Sequence, residues 1–240
     1  MNSKKYQEPL KWCLNQENNI FEIGVDEAGR GPLFGRVYAA AVILPKDDSF
    51  QHSKVKDSKK FTSKKKIEEV AEYIKENALA WYVSFEDETV VDEINILQAT
   101  QKAMRHAILE VRKQYIQKTQ KTVENENLEN IRFHLLIDGN YFNPITCVNE
   151  KTHKLETIPF NTIEGGDNKF TSIAAASILA KVERDKYIEK LCELNPNLAE
   201  KYGIDSNKGY GAKKHIDGIK EYGITIWHRK TFGICKNYSN

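Results

Sequence analysis

Asp26 and Glu27 stand side by side, and Asp138 and Asp167 follow far down the chain. Asp26 and Glu27 come after the apolar run "FEIGV", Asp138 closes "FHLLI", and Asp167 precedes the alanine-rich "KFTSIAAASILAKVERD". Adjacent carboxylates at the end of a buried strand repel each other and must shed water. One chemistry makes use of that arrangement. Mg²⁺ is hard, prefers oxygen ligands and keeps several waters. Two such ions about 4 Å apart activate a water and stabilise the leaving oxygen in phosphodiester hydrolysis. Such a site needs carboxylates converging from different elements, because no short peptide presents them all. Taken singly, Asp138 and Asp167 also have plainer readings. Asp-Gly after an apolar run is a common turn. An acid near a helix start caps amides and complements the dipole.

Between the first acids and the next apolar run lies "AGRGP". Gly29 and Gly31 let the backbone approach a ligand closely. Arg30 is a phosphate-gripping side chain or one half of a surface ion pair. Successive strand residues face opposite ways, so the glycines are expected to bend the chain and turn Glu27 toward a second ion. The loop lacks the G-x-x-x-x-G-K-[ST] spacing, as does "GGDNKFTS", which argues against a nucleoside triphosphatase. Lys59 and Lys60 sit in "DSKKFT", within a stretch (53–66) of seven Lys and one Asp. That stretch is either a solvated face or a phosphate contact. Tyr210, in "GYGA", belongs to a second basic stretch with interleaved aromatics, residues 207–230. Asp185 reads as a helix-surface acid, and His215 and His228 as structural histidines.

These residues need rigid mounts. Residues 20–26 and 37–44 read as buried strands. A helix capped at Thr62 or Ser63 follows, with Ile67, Val70, Ala71 and Ile74 on one face. "LAWYVSFED" reads as a third strand. The segment from Asn95 is a long helix with Leu97, Met104, Ile108, Val111 and Tyr115 on its stripe. "TQKTVENENLEN" reads as a loop or frayed end, and "IRFHLLIDGN" as a strand. Residues 143–157 read as an irregular polar excursion, "TIPFNTIEGGD" as a strand, and "KFTSIAAASILAKVERDKYIEKL" as a strong helix. Short helices and turns fill the tail from about Asn195. The order β-β-α-β-α-β-β-α-α means a mixed α/β sheet flanked by helices.

The chain of 240 residues, with no Pro/Ser/Gly-rich linker, is expected to form one domain. Its ten Phe and eleven Tyr can build a sizeable core. No apolar run is long enough to span a membrane. The opening "MNSKKYQEPLKWCLNQENN" lacks the apolar region of a secretory signal. Cys13, Cys147, Cys192 and Cys235 are widely spaced, as reduced thiols of a cytoplasmic protein would be. The net charge of +2 names no partner by itself.

"GVDEAGRGP", "DSKKFT", "LLIDGN", "GDNKFTSIAAASILAKVERD" and "NKGYGAKKH" together resemble the bacterial ribonuclease HII family, in order and over nearly the whole chain. The resemblance implies a ribonuclease-H-like α/β fold whose helical C-terminal part, from roughly residue 195, helps bind substrate. It implies hydrolysis, dependent on Mg²⁺ or Mn²⁺, of the phosphodiester 5′ to a ribonucleotide in an RNA–DNA hybrid or in duplex DNA. The products would be a 3′-hydroxyl and a 5′-phosphate, and the role ribonucleotide and RNA-primer removal by a cytoplasmic monomer. Asp26, Glu27, Asp138 and Asp167 match the family's metal-binding acids. Gly29, Arg30 and Gly31 match its contact to the ribose 2′-hydroxyl, and Tyr210 a tyrosine stacked on the following deoxyribose. The 2′-hydroxyl is what separates RNA from DNA locally. The chain departs from the family pattern at Phe34, Arg36, Tyr38 and Ala212, and in the longer gap between Asp138 and Asp167. A different nuclease on the same fold, a hybrid-binding protein that does not cut, and a calcium-stabilised domain are the competing readings.

Overall fold

The computed structural model describes residues 9–121, 131–148 and 155–238. Five strands form the main sheet: β1 (Ile20–Ala28), β2 (Val37–Ile43), β3 (Ala80–Glu86), β4 (Arg132–Asp138) and β7 (Phe160–Ile163), in the order β3-β2-β1-β4-β7. β1 pairs antiparallel with β2 and parallel with β4, and β4 pairs parallel with β7. Three strands therefore end at one edge of the sheet, where open α/β sheets bind ligands. The register pairs Val25 with Ile137, so Asp26 and Asp138 come next on adjacent strands.

Helices cover both faces. α1 (Lys64–Asn77) starts after Ser63, as the sequence suggests, and buries Ile67, Ala71 and Ile74. α1 and the alanine-rich α3 (Thr171–Leu194) pack on Ala40 and Val42 of β2. α2 (Glu88–Gln120) covers the opposite face, with Met104, Ile108 and Val111 against Ile23, Val25, Ala39 and Ala41. α2 is two helices joined at Asn95, whose φ of 65° breaks the first. The Asn95 side chain accepts from the Gln98 amide and caps the second, so the long helix does begin there. Its first segment, capped by Asp87 through the Val90 amide, is not apparent in the sequence pattern.

α3 lies against β1 because Gly24 has no side chain. A Cβ there would sit 2.1 Å from the Ser172 carbonyl carbon. A glycine inside a strand often marks such an approach. Within the stretch 143–157, two described segments are regular: β5 (Thr146–Val148) and β6 (Leu155–Thr157) pair antiparallel in a separate two-stranded sheet. Cross-strand pairing, including the contact between the Thr146 and Thr157 hydroxyls, outweighs the polarity of the segment. Most of "TQKTVENENLEN" lies outside the described residues, and α2 extends over its first two. The C-terminal helices α4 (Asn197–Tyr202), α5 (Ile204–Asn207) and α6 (Lys213–Tyr222) share a small core with Phe34, Ile188 and Cys235. Among the described residues, no helix is long and apolar enough to cross a membrane.

Candidate active site

Each of the three parallel strands delivers an acid to the same edge. β1 carries Asp26 and Glu27 just before its end at Ala28, and β4 ends with Asp138. β7 leads through Gly165 into a 3-10 turn that carries Asp167. Asp26 is 5 % exposed and Asp167 4 %. Burial first, then Glu27 and Asp138, holds the Asp26 carboxyl well above the usual carboxylate range. Burial also raises Glu27, with Arg30 working against the rise and Asp138 adding to it. Asp138 is raised by burial and by Asp167, against a hydrogen bond from the Gly166 amide. The structure thus draws the four acids into one repelling group.

Specific donors aim these carboxylates. The Gly166 amide donates to Asp138 at 2.7 Å, and a Cβ at Gly166 would press to 2.6 Å from Ile173. Asn168 Nδ2 donates to Asp167 Oδ1 at 2.9 Å and lies 3.2 Å from Asp57 Oδ2. Asp26 accepts from the Glu27 amide at 2.7 Å and from the Ser177 hydroxyl. Ser177 meets the buried Ser58 hydroxyl at 3.0 Å. The turn Asp57–Ser58 therefore supports Asp167 through Asn168 and Asp26 through Ser177. Asp167 does not cap α3, whose N-cap Phe170 makes no side-chain cap bond. The turn at Asp138 is also real, since Gly139 takes φ 100°. Asp185 pairs with Lys181 at 2.9 Å along α3.

Lys59 Nζ lies 3.6 Å from Asp167. Burial opposes its charge, but Asp167, Asp57 and Asp26 outweigh that and raise its pKa. Lys60 bonds Asn168 Oδ1. With Arg30 beside Glu27, they place positive charge next to the carboxylates. The donor set is hard oxygen throughout, which suits a Mg²⁺- or Mn²⁺-type cation rather than a soft metal. Among the described residues no three acids, imidazoles or thiols already close round one point as a formed cage.

β1 stays paired with β2 through Ala28, and the bend comes only at Gly29, with φ 92°. The charge of Asp138 still reaches Glu27, which also meets Arg30 at 3.3 Å. Tyr210 is 52 % exposed, and its ring edge lies 3.5 Å from where a Gly31 Cβ would be. The loop and the tyrosine therefore share one surface. Leu33 N donates to the Gly209 carbonyl at 2.9 Å and ties the two segments together.

A match to the family model described as Ribonuclease HII covers residues 23–235. The chain belongs to the ribonuclease HII family. It is thus a type 2 ribonuclease H, an endoribonuclease. It is 44 % identical over 223 residues to ribonuclease HII of Bacteroides thetaiotaomicron, covering 92 % of each chain. Ribonuclease H2 of Pyrococcus horikoshii OT3 has a similar fold, with TM-score 0.58 and 21 % identity, over 91 % of this chain and 96 % of that one. So has the Bst ribonuclease HIII solved with Mn²⁺, with TM-score 0.61 and 19 % identity, over 93 % of this chain and 70 % of that one.

Two of the positions where the chain departs from the ribonuclease HII pattern have packing roles. Phe34 is fully buried and packs edge-on to His228 at 5.1 Å. Arg36 stacks between Phe85 and Tyr187, at 4.0 and 4.4 Å. Sequence reasoning missed Ser58, Ser177, Asn168, Arg184 and Arg229. Arg229 is buried and donates to the carbonyls of Gly29, Arg30, Pro32 and Gly35. Arg184 Nη2 donates to Lys208 O at 2.8 Å, and its side chain fills the space beside Gly29. The one signal was residue type: a buried Arg needs many acceptors, and a turn supplies carbonyls.

Proposed function

We propose that this chain cleaves the phosphodiester 5′ to a ribonucleotide, leaving a 3′-hydroxyl and a 5′-phosphate. The observation that carries the reading is the delivery of Asp26, Asp138 and Asp167 by three parallel strands beside a glycine loop and an exposed tyrosine. Asp26, Glu27, Asp138 and Asp167 hold the metal, one or two Mg²⁺ or Mn²⁺ ions. When bound there, such a cation supplies activation of the attacking water and neutralisation of charge on the phosphate and departing 3′-oxygen.

The chain's own residues do the rest. Ser177, Asn168 and the Gly166 amide hold three carboxylates in fixed orientations. Lys59 and Lys60 attract the phosphate backbone and offset the acids before substrate arrives. Gly29 and Gly31 let main-chain groups reach the ribose 2′-hydroxyl, with Arg30 beside them. The Tyr210 ring lies flat against the next sugar, which a deoxyribose permits and a 2′-hydroxyl crowds. The C-terminal helical part, from about residue 195, carries Tyr210 and contributes in this way to substrate binding. RNA–DNA hybrids and duplex DNA with embedded ribonucleotides are the partners. The enzyme works as a cytoplasmic monomer in ribonucleotide and RNA-primer removal.

Product mapping tests this on a duplex with a single ribonucleotide. Cleavage with Mg²⁺ at the 5′ side of that residue is expected, with none in EDTA or on an all-DNA duplex and a loss on the order of 10³-fold in Asp138→Asn. Binding of the duplex in EDTA without any product under Mg²⁺ or Mn²⁺ would overturn the reading in favour of a non-cutting binder.

A further inference from the structure

His215 and His228 are both buried, at 0 % and 1 % exposure, in the core beneath Tyr210. Their hydrogen bonds have only one self-consistent direction. The Thr225 amide donates to His228 Nδ1 at 2.9 Å, so that nitrogen carries a lone pair. In a neutral imidazole the proton then sits on Nε2. His228 Nε2 lies 3.0 Å from His215 Nε2 and donates to it. His215 must therefore carry its proton on Nδ1, which lies 2.9 Å from the Tyr210 carbonyl oxygen and donates to it. A second proton on either ring would set donor against donor. Burial lowers both pKa values, that of His228 to about 3, so the neutral pair persists at working pH.

The chain of bonds ends on the main chain of the residue that reads the sugar. The Tyr210 carbonyl also accepts from the Ala212 amide at 2.8 Å, and the Tyr210 amide donates to Asn207 O at 3.0 Å. The backbone is pinned while the ring stays exposed. The next residue after His228 holds the other half of the reader. Arg229 spends four N–H bonds on Gly29, Arg30, Pro32 and Gly35, at 2.6 to 3.0 Å. Arg229 N also donates to Leu33 O, and Gly35 N to Trp227 O, so the segment runs alongside the loop. One dipeptide is thus joined to both the glycine loop and the tyrosine.

We propose that His228 and Arg229, with His215, are positioning residues that set the gap between the Gly29–Gly31 loop and Tyr210. Through that gap they set how strongly cleavage depends on a deoxyribose following the ribonucleotide. This rests on the role given to Tyr210 above. A side chain displaced by about 1 Å loses a large part of its orienting effect.

The test compares kcat/KM on a duplex with one embedded ribonucleotide with that on a continuous RNA–DNA hybrid, both with Mg²⁺. Tyr210→Ala is expected to lower the ratio of the two about tenfold or more. His228→Leu should shift the ratio the same way, and adding it to Tyr210→Ala should change little more, since both act through one contact. His228→Gln keeps an N–H where Nε2 was and should restore most of the ratio. His215→Asn keeps the donor to Tyr210 O and should keep the ratio better than His215→Ala, which decides the matter should His228→Leu fail to fold. If Tyr210→Ala leaves the ratio unchanged, the sugar-reading role falls and this positioning role with it. If Tyr210→Ala shifts the ratio but a folded His228→Leu does not, the positioning role alone is wrong. It is equally wrong if Gln matches Leu, or Asn matches Ala.

Discussion

At the scale of single residues, the site is governed by carboxylates that would rather be protonated. Asp138 is raised by burial and by Asp167, yet accepts the Gly166 amide. Asp138→Asn keeps an oxygen for that amide and removes one charge from the repelling group. Its kcat is expected to fall on the order of 10³-fold, several kcal/mol of transition-state stabilisation. Its metal-free melting temperature should rise, because a buried like-charge contact is gone. The stabilisation that Mg²⁺ gives the wild type should shrink, since ligands stabilise the state that binds them. Calorimetry with and without Mg²⁺ reads both effects. Ser58 touches no acid directly, but its hydroxyl holds Ser177, which donates to Asp26. Loss of such outer partners typically costs 10- to 100-fold in metal affinity. Ser58→Ala should therefore need about tenfold more Mg²⁺ for half-maximal rate, with its saturating rate less affected.

At the scale of elements, the contact of α3 with β1 decides whether these donors reach their acceptors. That contact depends on Gly24, where an added Cβ would meet Ser172 backbone at 2.1 to 2.4 Å. No side chain can rotate away from a backbone clash, so the helix must move. Gly24→Ala is expected to destabilise by about 3 kcal/mol, at the upper end for overpacking. Activity should fall further than stability alone explains, because α3 carries Ser177 and follows directly on the Asp167 turn. Urea unfolding and single-ribonucleotide cleavage, measured together, check this. The α2 break at Asn95 shows the opposite case. There a residue at φ 65° caps the helix that follows, and a local signal was readable.

At the scale of the molecule, acid and base groups pull stability in opposite directions with pH. His228 is held at about 3 against an ordinary 6.5. The unfolded chain takes up its proton first, so its contribution to stability is full above about 6.5 and is lost as pH falls toward 3. The raised Asp26, Glu27 and Asp138 do the reverse: their repulsion destabilises at neutral pH and is relieved as they protonate. The difference between wild type and His228→Gln isolates the histidine. From pH 7 to pH 5 the melting temperature of the wild type should fall relative to that of the variant. A constant gap between the two curves would show that His228 does not titrate with unfolding.

The order of the main elements, the helix faces and, as candidates, Asp26, Glu27, Asp138, Asp167 and Gly29–Gly31 could be read from local properties: apolar period, capping residues, turn glycines and the charge of each side chain. Tyr210 became a candidate through the family resemblance. The β5–β6 pairing was not readable, since neither three-residue strand carries a period of its own. Nor was the place of the bend, because β2 continues to pair with β1 past both acids and the chain turns only at Gly29. Only the tertiary structure decided that β1, β4 and β7 run parallel and bring their acids to one edge. It alone decided that Arg229 holds Gly29, 200 residues away. The physical reason is general: every residue has a carbonyl, so a bond to the main chain leaves no mark on the residue that accepts it.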